Sequence, residues 1–184
     1  MTIPNLITTI RIILAPIFII YLINDQYFSA LIVFMLCCLS DGLDGLLARL
    51  FNQKSRIGTY LDPIADKLLL VATFITLAIR GSLPSWLTVT VIARDVLILL
   101  GVAVLFFVHT GFVKIKPSFL SKLTTCLQFA SVMAVLSRGN LLTLPPVFYR
   151  YLFYLTALFT ISSGLHYMHY WFKMMGEGPE EKGE

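Results

Sequence analysis

Residues Leu31–Arg49 read LIVFMLCCLSDGLDGLLAR. An apolar run leads into Ser40 and two aspartates, Asp41 and Asp44, before closing on Arg49. The run reads as a membrane-buried helix. Carboxylates at its end are costly near hydrocarbon unless something neutralises them. Three residues apart on a helix, Asp41 and Asp44 share a face. Gly45 and Ala48 continue that face.

The wider composition agrees with lipid as the solvent. The chain has 184 residues, 58% hydrophobic and 13% charged. A water-soluble domain of this length has too much surface to hide so many apolar side chains. A spanning helix needs about 20 apolar residues. Six such runs can be drawn, at 7–23, 29–47, 59–79, 86–108, 119–136 and 146–171. The predicted fold is all-α, an integral membrane protein of six transmembrane helices. Residues 1–175 form one membrane domain, and 176–184 a polar, disordered tail. No internal repeat suggests a transporter built of two similar halves.

Loop charges set the expected orientation. Arg11, Arg49, Lys54, Arg56, Lys114, Lys116, Lys122, Lys173 and Lys182 fall on one side, and Arg80, Arg138 and Arg150 on the other. Both termini are therefore expected in the cytoplasm, with the Asp41–Asp44 stretch at the cytoplasmic end of span two. The start does not read as a signal peptide, because Arg11 interrupts it and no small-x-small site follows before Asn24. A bacterial plasma (inner) membrane is the expected location. The net charge of +4 is spread out, with no basic stripe interleaved with aromatics. That argues against nucleic acid as a partner and for anionic lipid headgroups. Cys37, Cys38 and Cys126 lie inside apolar runs with no metal or disulfide spacing, and read as small hydrophobes.

A second carboxylate pair follows the first. Asp62 and Asp66 share a helix face, with Gly58 one turn earlier. If span three begins on the membrane side where span two ends, the short loop RLFNQKSRI brings the pairs together. Four carboxylates there carry about −4, more than Arg49 and Lys67 can offset. Two divalent cations supply +4 in a small volume. All-oxygen ligation suits Mg²⁺ or Mn²⁺, and a metal pair suits phosphoryl-group displacement. Gly42, Gly45, Ala48 and Gly58 clear space for a bulky ligand; tight helix packing through small residues is the plainer alternative. Pro63 disfavours helical geometry at Asp62. Span three is therefore expected either to begin there or to be kinked, with a local irregularity re-aiming Asp62.

In full, the pattern is Asp41-x-x-Asp44-Gly45-x-x-Ala48-Arg49, eight residues, Gly58, three residues, Asp62, three residues, Asp66. It resembles the defining motif of the CDP-alcohol phosphatidyltransferases at every fixed position and every gap. PNLITTIR, through Asn5, Thr8 and Arg11, resembles that family's opening segment. The resemblance implies a six-helix membrane enzyme, usually a homodimer, that transfers a phosphatidyl group from CDP-diacylglycerol to an alcohol and releases CMP. Asp41, Asp44, Asp62 and Asp66 would hold the metals, with Asp66 also the general base. Gly45, Ala48, Arg49 and Gly58 would line the CDP pocket, together with Asn5 and Thr8.

The acceptor is read from spans four to six. Arg94 and Asp95 are intramembrane charges and so functional candidates. Adjacent on a helix, they diverge by about 100° and are expected to address different neighbours. Lys122 either contacts a substrate phosphate or snorkels to headgroups. Arg94, Lys122 and Arg11 are the candidate acceptor-binding residues. His166, His169 and Tyr170 share a face expected to pack at the membrane interface. Family members that use glycerol-3-phosphate tend to carry Arg-Glu in span four and a second Arg about two turns later, whereas this chain has Arg94-Asp95 and then only apolar residues to Val108. ARDVLIL, KPSFLSK and HYMHY resemble the branch whose acceptor is phosphatidylglycerol and whose product is cardiolipin. That is the expected reaction, with glycerol-3-phosphate as the alternative acceptor. An ion or proton transporter is the reading from another class. Relay carboxylates would sit near mid-membrane on several spans, whereas these cluster at one end of two.

Overall fold

The ends of the apolar runs translate into helix ends within a few residues. The computed structural model describes the backbone of residues 3–50, 58–108, 119–138, 141 and 144–176, and the side chains of 13–40, 67–101, 119–138, 141 and 144–171. Its elements are α1 (Ile3–Ile23), α2 (Tyr27–Leu50), α3 (Gly58–Ile79), α4 (Ser85–Val108), α5 (Phe119–Leu136) and α6 (Pro146–Gly176). The protein is all-helical, with no strand among the described residues. Two boundaries differ from expectation. Helix α3 starts at Gly58, so Pro63 lies inside its first two turns and does not open it. Helix α6 runs through Gly176, the first residue of the expected tail; residues 177–184 lie outside the described residues, as does the expected irregularity at the Asp62 side chain.

The chain divides into two compact units, Met1–Ser85 with Val132–Leu144, and Trp86–Ser131 with Pro145–Glu184. In the first unit α1 packs against α2 and α3. Its core follows the helical period. Phe18 and Leu22 of α1, Ala30, Phe34 and Cys37 of α2, and Leu70, Phe74 and Leu77 of α3 are all buried. Phe18 and Phe34 pack with ring centroids 5.5 Å apart.

Helices α1 and α3 stop in the same way. Asp25 N–H donates to the Leu22 carbonyl (3.2 Å) and Gln26 N–H to Tyr21 (2.9 Å), with Asp25 at φ 58°. Gly81 N–H donates to Ala78 (3.0 Å) and Ser82 N–H to Leu77 (2.9 Å), with Gly81 at φ 69°. Both are left-handed caps that satisfy the last carbonyls of a helix. Glycine takes this conformation at no steric cost, and aspartate tolerates it better than most residues. No atom lies within 4 Å of where a Gly81 β-carbon would sit, so the glycine is there for its backbone angle.

The two caps are joined side by side. Arg80 forms an ion pair with Asp25, and Tyr27 Oη and Ser82 Oγ are 3.1 Å apart in a hydrogen bond. The ends of α1 and α3 and the start of α2 are therefore level, and the helices run up, down and up. The hydrogen bond from Arg80 holds the Asp25 carboxyl below its usual 3.8, and the same pairing raises Arg80 above its usual range.

In the second unit α4 and α6 run parallel. Trp86 stacks on Tyr154 with centroids 5.4 Å apart, and further along both helices Arg94 bonds Ser163. Helix α5 runs antiparallel to α6. Thr124 Oγ1 donates to the Phe159 carbonyl (3.0 Å), and Ser131 and Thr156 share a hydroxyl hydrogen bond of 2.8 Å. Pro146 opens α6 at the first helical position, where its missing N–H costs nothing. The inner faces carry a polar seam among apolar side chains: Thr124, Gln128, Ser131, Thr156, Thr160 and Ser163 are buried, as are Leu87, Val91 and Phe153. The outer faces are apolar, with Phe119 80% exposed and Leu158, Ile161 and Leu165 all exposed.

Two predictions concern the joined caps. Gly81→Ala should lower stability by about 1 kcal/mol, because it puts a β-carbon on a left-handed residue; unfolding in detergent micelles checks this. Asp25→Asn tests the ion pair against pH. A depressed carboxyl stabilises the fold above its unfolded value and loses that contribution as pH falls through the folded one. The stability difference between wild type and Asp25→Asn should therefore be present at neutral pH and vanish as pH falls below 3.8.

Candidate active site

The carboxylate motif is carried by two helices that both belong to the first unit. Asp41, Asp44, Gly45, Ala48 and Arg49 lie in the last turns of α2. Gly58, Asp62 and Asp66 lie in the first turns of α3. Asn5, Thr8 and Arg11 lie in the first half of α1. The side chains of all eleven fall outside the described ones. No group of three or more metal-ligating side chains occurs among the described residues, which leave these four aspartates out.

The second unit holds a charged cluster that is fully described. Arg94 and Asp95, on the inner face of α4, are 6% and 5% exposed. Arg94 Nη1 donates to Asp95 Oδ1 at 2.6 Å. Arg94 Nη2 donates to Ser121 Oγ of α5 at 2.6 Å and to Ser163 Oγ of α6 at 3.0 Å. Among the described residues, Arg94 Nε is buried without a hydrogen-bond partner. The expected divergence of Arg94 and Asp95 toward separate neighbours is corrected here. Adjacent Cα–Cβ bonds do diverge, but the arginine stem is long enough to fold its guanidinium back over the next residue. The stem passes Gly164 of α6, where a β-carbon would lie 3.7 Å from Arg94 Cγ, an ordinary contact distance.

The remaining sequence candidates sit on the surface. Lys122, one residue beyond Ser121, is exposed. His166, His169 and Tyr170 are exposed as well, while Tyr167 between them is buried. Cys37 is buried and Cys38 half-buried, but Cys126 is exposed, because it faces outward from α5 beside the inward Thr124 and Gln128. Its apolar run did not make it a core residue.

Comparison with known proteins decides the family. A sequence model of CDP-alcohol phosphatidyltransferases matches residues 1–165. The chain belongs to the CDP-alcohol phosphatidyltransferase family. It is 34% identical over 187 aligned residues to a cardiolipin synthase (CMP-forming) of Rattus norvegicus, covering 92% of this chain and 61% of that protein. It is 35% identical over 147 residues to a cardiolipin synthase (CMP-forming) of Streptomyces coelicolor, covering 76% and 67%. It is 32% identical over 140 residues to a CDP-diacylglycerol–glycerol-3-phosphate 3-phosphatidyltransferase of Aquifex aeolicus, covering 73% and 75%. The chain spans about three-fifths of the length of the mammalian relatives it matches.

Two residues of this chain escape a sequence reading that looks for charges. Ser121 and Ser163 are the hydroxyls that hold Arg94. A signal exists for the second: Thr156, Thr160 and Ser163 recur at helical spacing inside an apolar run, marking one polar face of α6. Ser121, in a polar stretch beside Lys122, carries no such signal.

Ser163→Ala removes one acceptor from a charged donor in a buried site. A hydrogen bond to a charged group contributes about 1.5–3 kcal/mol. The expected loss is toward the lower end, about 1.5 kcal/mol, since Nη2 keeps Ser121. Unfolding of the variant in micelles measures it, and an unchanged stability would show that the Ser163 contact contributes nothing.

Proposed function

We propose that the chain transfers a phosphatidyl group from CDP-diacylglycerol to phosphatidylglycerol, releasing CMP and forming cardiolipin, within a lipid bilayer. The observation that carries the reaction class is the complete Asp41-to-Asp66 motif in a chain of this family. The names of the rat and Streptomyces relatives support phosphatidylglycerol as acceptor. Glycerol-3-phosphate is the second reading, supported by the name of the Aquifex relative.

Helix register supports a convergent site. Tyr27 and Ser82 meet at one end of the first unit. With a rise of about 1.5 Å per residue, Asp41 and Asp44 lie about 21 and 26 Å along α2 from Tyr27. Asp66 and Asp62 lie about 20 and 26 Å along α3 from Ile79. The two pairs thus fall at matching depths on helices that both pack against α1. The donor set, four carboxylates, fits two hard divalent cations, Mg²⁺ or Mn²⁺. Asp41, Asp44, Asp62 and Asp66 would hold them, and the bound cations would offset the charge on the phosphates.

The chain's own residues do the rest. Asp66 takes the proton of the acceptor hydroxyl as its oxygen bonds to phosphorus. The bond from that phosphorus to the CMP oxygen breaks, and CMP leaves with its electron pair. Arg49 offers positive charge to the leaving phosphate. Gly45, Ala48 and Gly58 leave room for CDP, with Asn5 and Thr8 beside it. Arg94, Lys122 and Arg11 address the acceptor.

The bilayer reading rests on inside-out polarity. Hydroxyls of the second unit face inward, and large apolar side chains are exposed on both units, as suits helices in lipid. Helix α5 is the one described helix that passes length and apolarity tests for crossing a membrane along its whole length. The loop charges support six spans with both termini and the active site on the cytoplasmic side; a bacterial plasma membrane is the proposed location. The family match runs through both compact units, which supports one catalytic domain over 1–175. A homodimer is the assembly that the family implies.

The test uses purified protein in mixed micelles with CDP-diacylglycerol, Mg²⁺ or Mn²⁺, and each acceptor. CMP and cardiolipin should form with phosphatidylglycerol, and a chelator should stop the reaction until metal is restored. Release of no CMP with any alcohol would overturn the proposal. Asp66→Asn should lower turnover at least about 100-fold while the protein stays folded, given the usual contribution of a general base.

A further inference from the structure

The two left-handed caps of the first unit differ in one respect. Gly81 takes φ 69° at no steric cost, and no atom lies within 4 Å of where its β-carbon would be. Asp25 takes φ 58° while carrying a side chain, in a region that residues other than glycine enter at a cost. A glycine would close α1 as well. What the aspartate adds is a carboxylate, and that carboxylate pairs with Arg80 beyond the end of α3. A backbone outlier of this kind points to a role for the side chain it carries.

The pair belongs to a network of four residues. Tyr27 and Ser82 share a hydrogen bond of 3.1 Å beside it. Hydrogen bonds from Arg80 and from Tyr27 both hold the Asp25 carboxyl below its ordinary value. Asp25 follows α1, Tyr27 opens α2, and Arg80 and Ser82 follow α3. The network therefore holds all three helices of the unit at one level. Asp25 is 60% exposed and Arg80 31%, so the ion pair is a weak source of stability. As a source of register it is well placed. The core between these helices is mostly Phe, Leu and Ala, and apolar contacts are undirected and lack a strong hydrophobic drive between helices in lipid. A slide by one residue moves a helix about 1.5 Å along its axis, whereas a metal site needs its ligands within about 0.2 Å.

We infer that Asp25, Tyr27, Arg80 and Ser82 are positioning residues: they hold α2 and α3 in the register that sets Asp41 and Asp44 level with Asp62 and Asp66, about 20 Å or more further along each helix. This rests on the proposed metal cradle and adds to it the residues that set its spacing. None of the four touches metal or substrate.

Tyr27→Phe combined with Asp25→Asn removes the hydroxyl and the charge while keeping both shapes, and asparagine also takes a left-handed cap. Mn²⁺ titrated into the protein in micelles, with the free ion counted by EPR, should bind the double variant at least about tenfold more weakly than wild type. Ser82→Thr, which keeps the hydroxyl, should retain wild-type affinity. A merely stabilising role would lower the melting temperature and leave the Mn²⁺ affinity of the folded protein unchanged, and that result would overturn the inference. A second measurement needs no metal. Spin labels at Leu39→Cys and Leu68→Cys, exposed positions of α2 and α3 beside the motif, are placed in protein whose three native cysteines are replaced by alanine. Their distance distribution should shift or broaden by about 1.5 Å or more in the double variant; an unmoved distribution would also overturn the inference. Tyr27→Phe alone, the milder change, is read the same way if the double variant does not fold. Wild-type protein that binds no Mn²⁺ would instead refute the proposed cradle, and the label distances would still decide whether the caps set the register.

Discussion

A guanidinium withdrawn from water must find acceptors, and in this chain that demand ties three helices together at Arg94. Asp95 of α4, Ser121 of α5 and Ser163 of α6 all meet it. The polar seam between α5 and α6 runs on from this point through Thr124, Thr160, Thr156 and Ser131. Between helices in lipid a hydrogen bond averages about 0.6 kcal/mol, because lipid tails are already as apolar as leucine. A buried ion pair is no better as a source of stability, since desolvating both charges consumes most of its attraction. Stability alone is therefore a poor reason to keep Arg94 and Asp95. The acceptor contact proposed for Arg94 is a better one.

The first unit solves a different problem, which is register. Among the described residues its helices carry largely apolar inner faces, and buried Thr73 bonds back to its own helix at Leu69. The lock lies at their ends, where two left-handed caps are joined by Arg80–Asp25 and Tyr27–Ser82. Fixing that end fixes the depth of everything further down α2 and α3. The carboxylate motif is at the far ends of these helices, so its proposed geometry depends on contacts more than about 20 Å away along each helix, at about 1.5 Å per residue.

Much of this architecture is legible in the amino-acid sequence. Six apolar runs gave six helices, since each run must bury or expose a continuous helical surface and stops where a polar or turn-forming group appears. NDQ ends α1 and RGS ends α3 because Asp25 and Gly81 can take the left-handed cap. The motif residues fall on α2 and α3 as their spacing required. Side-chain reach was the blind spot. Helical spacing says where a Cα–Cβ bond points, and Arg94 is long enough to defeat that rule by turning onto Asp95. Long-range partners were equally hidden: nothing near Asp25 announces Arg80, and nothing near Arg94 announces Ser121. Cys126, exposed on α5 beside buried Thr124 and Gln128, shows a related limit. An apolar neighbourhood in sequence says nothing about which side of a helix faces out.

The inside-out polarity of the second unit has a consequence for how this sequence can drift. In a water-soluble protein the interior resists substitution because of volume, and the surface changes freely among polar residues. In the proposed bilayer the outward Leu158, Ile161 and Leu165 need only remain apolar, and can exchange with one another or with valine or phenylalanine. The inward Thr156, Thr160 and Ser163 must keep a hydroxyl of small size at a fixed point. The freely varying positions of this chain should therefore be its most hydrophobic ones, and its smallest alcohols the slowest to change.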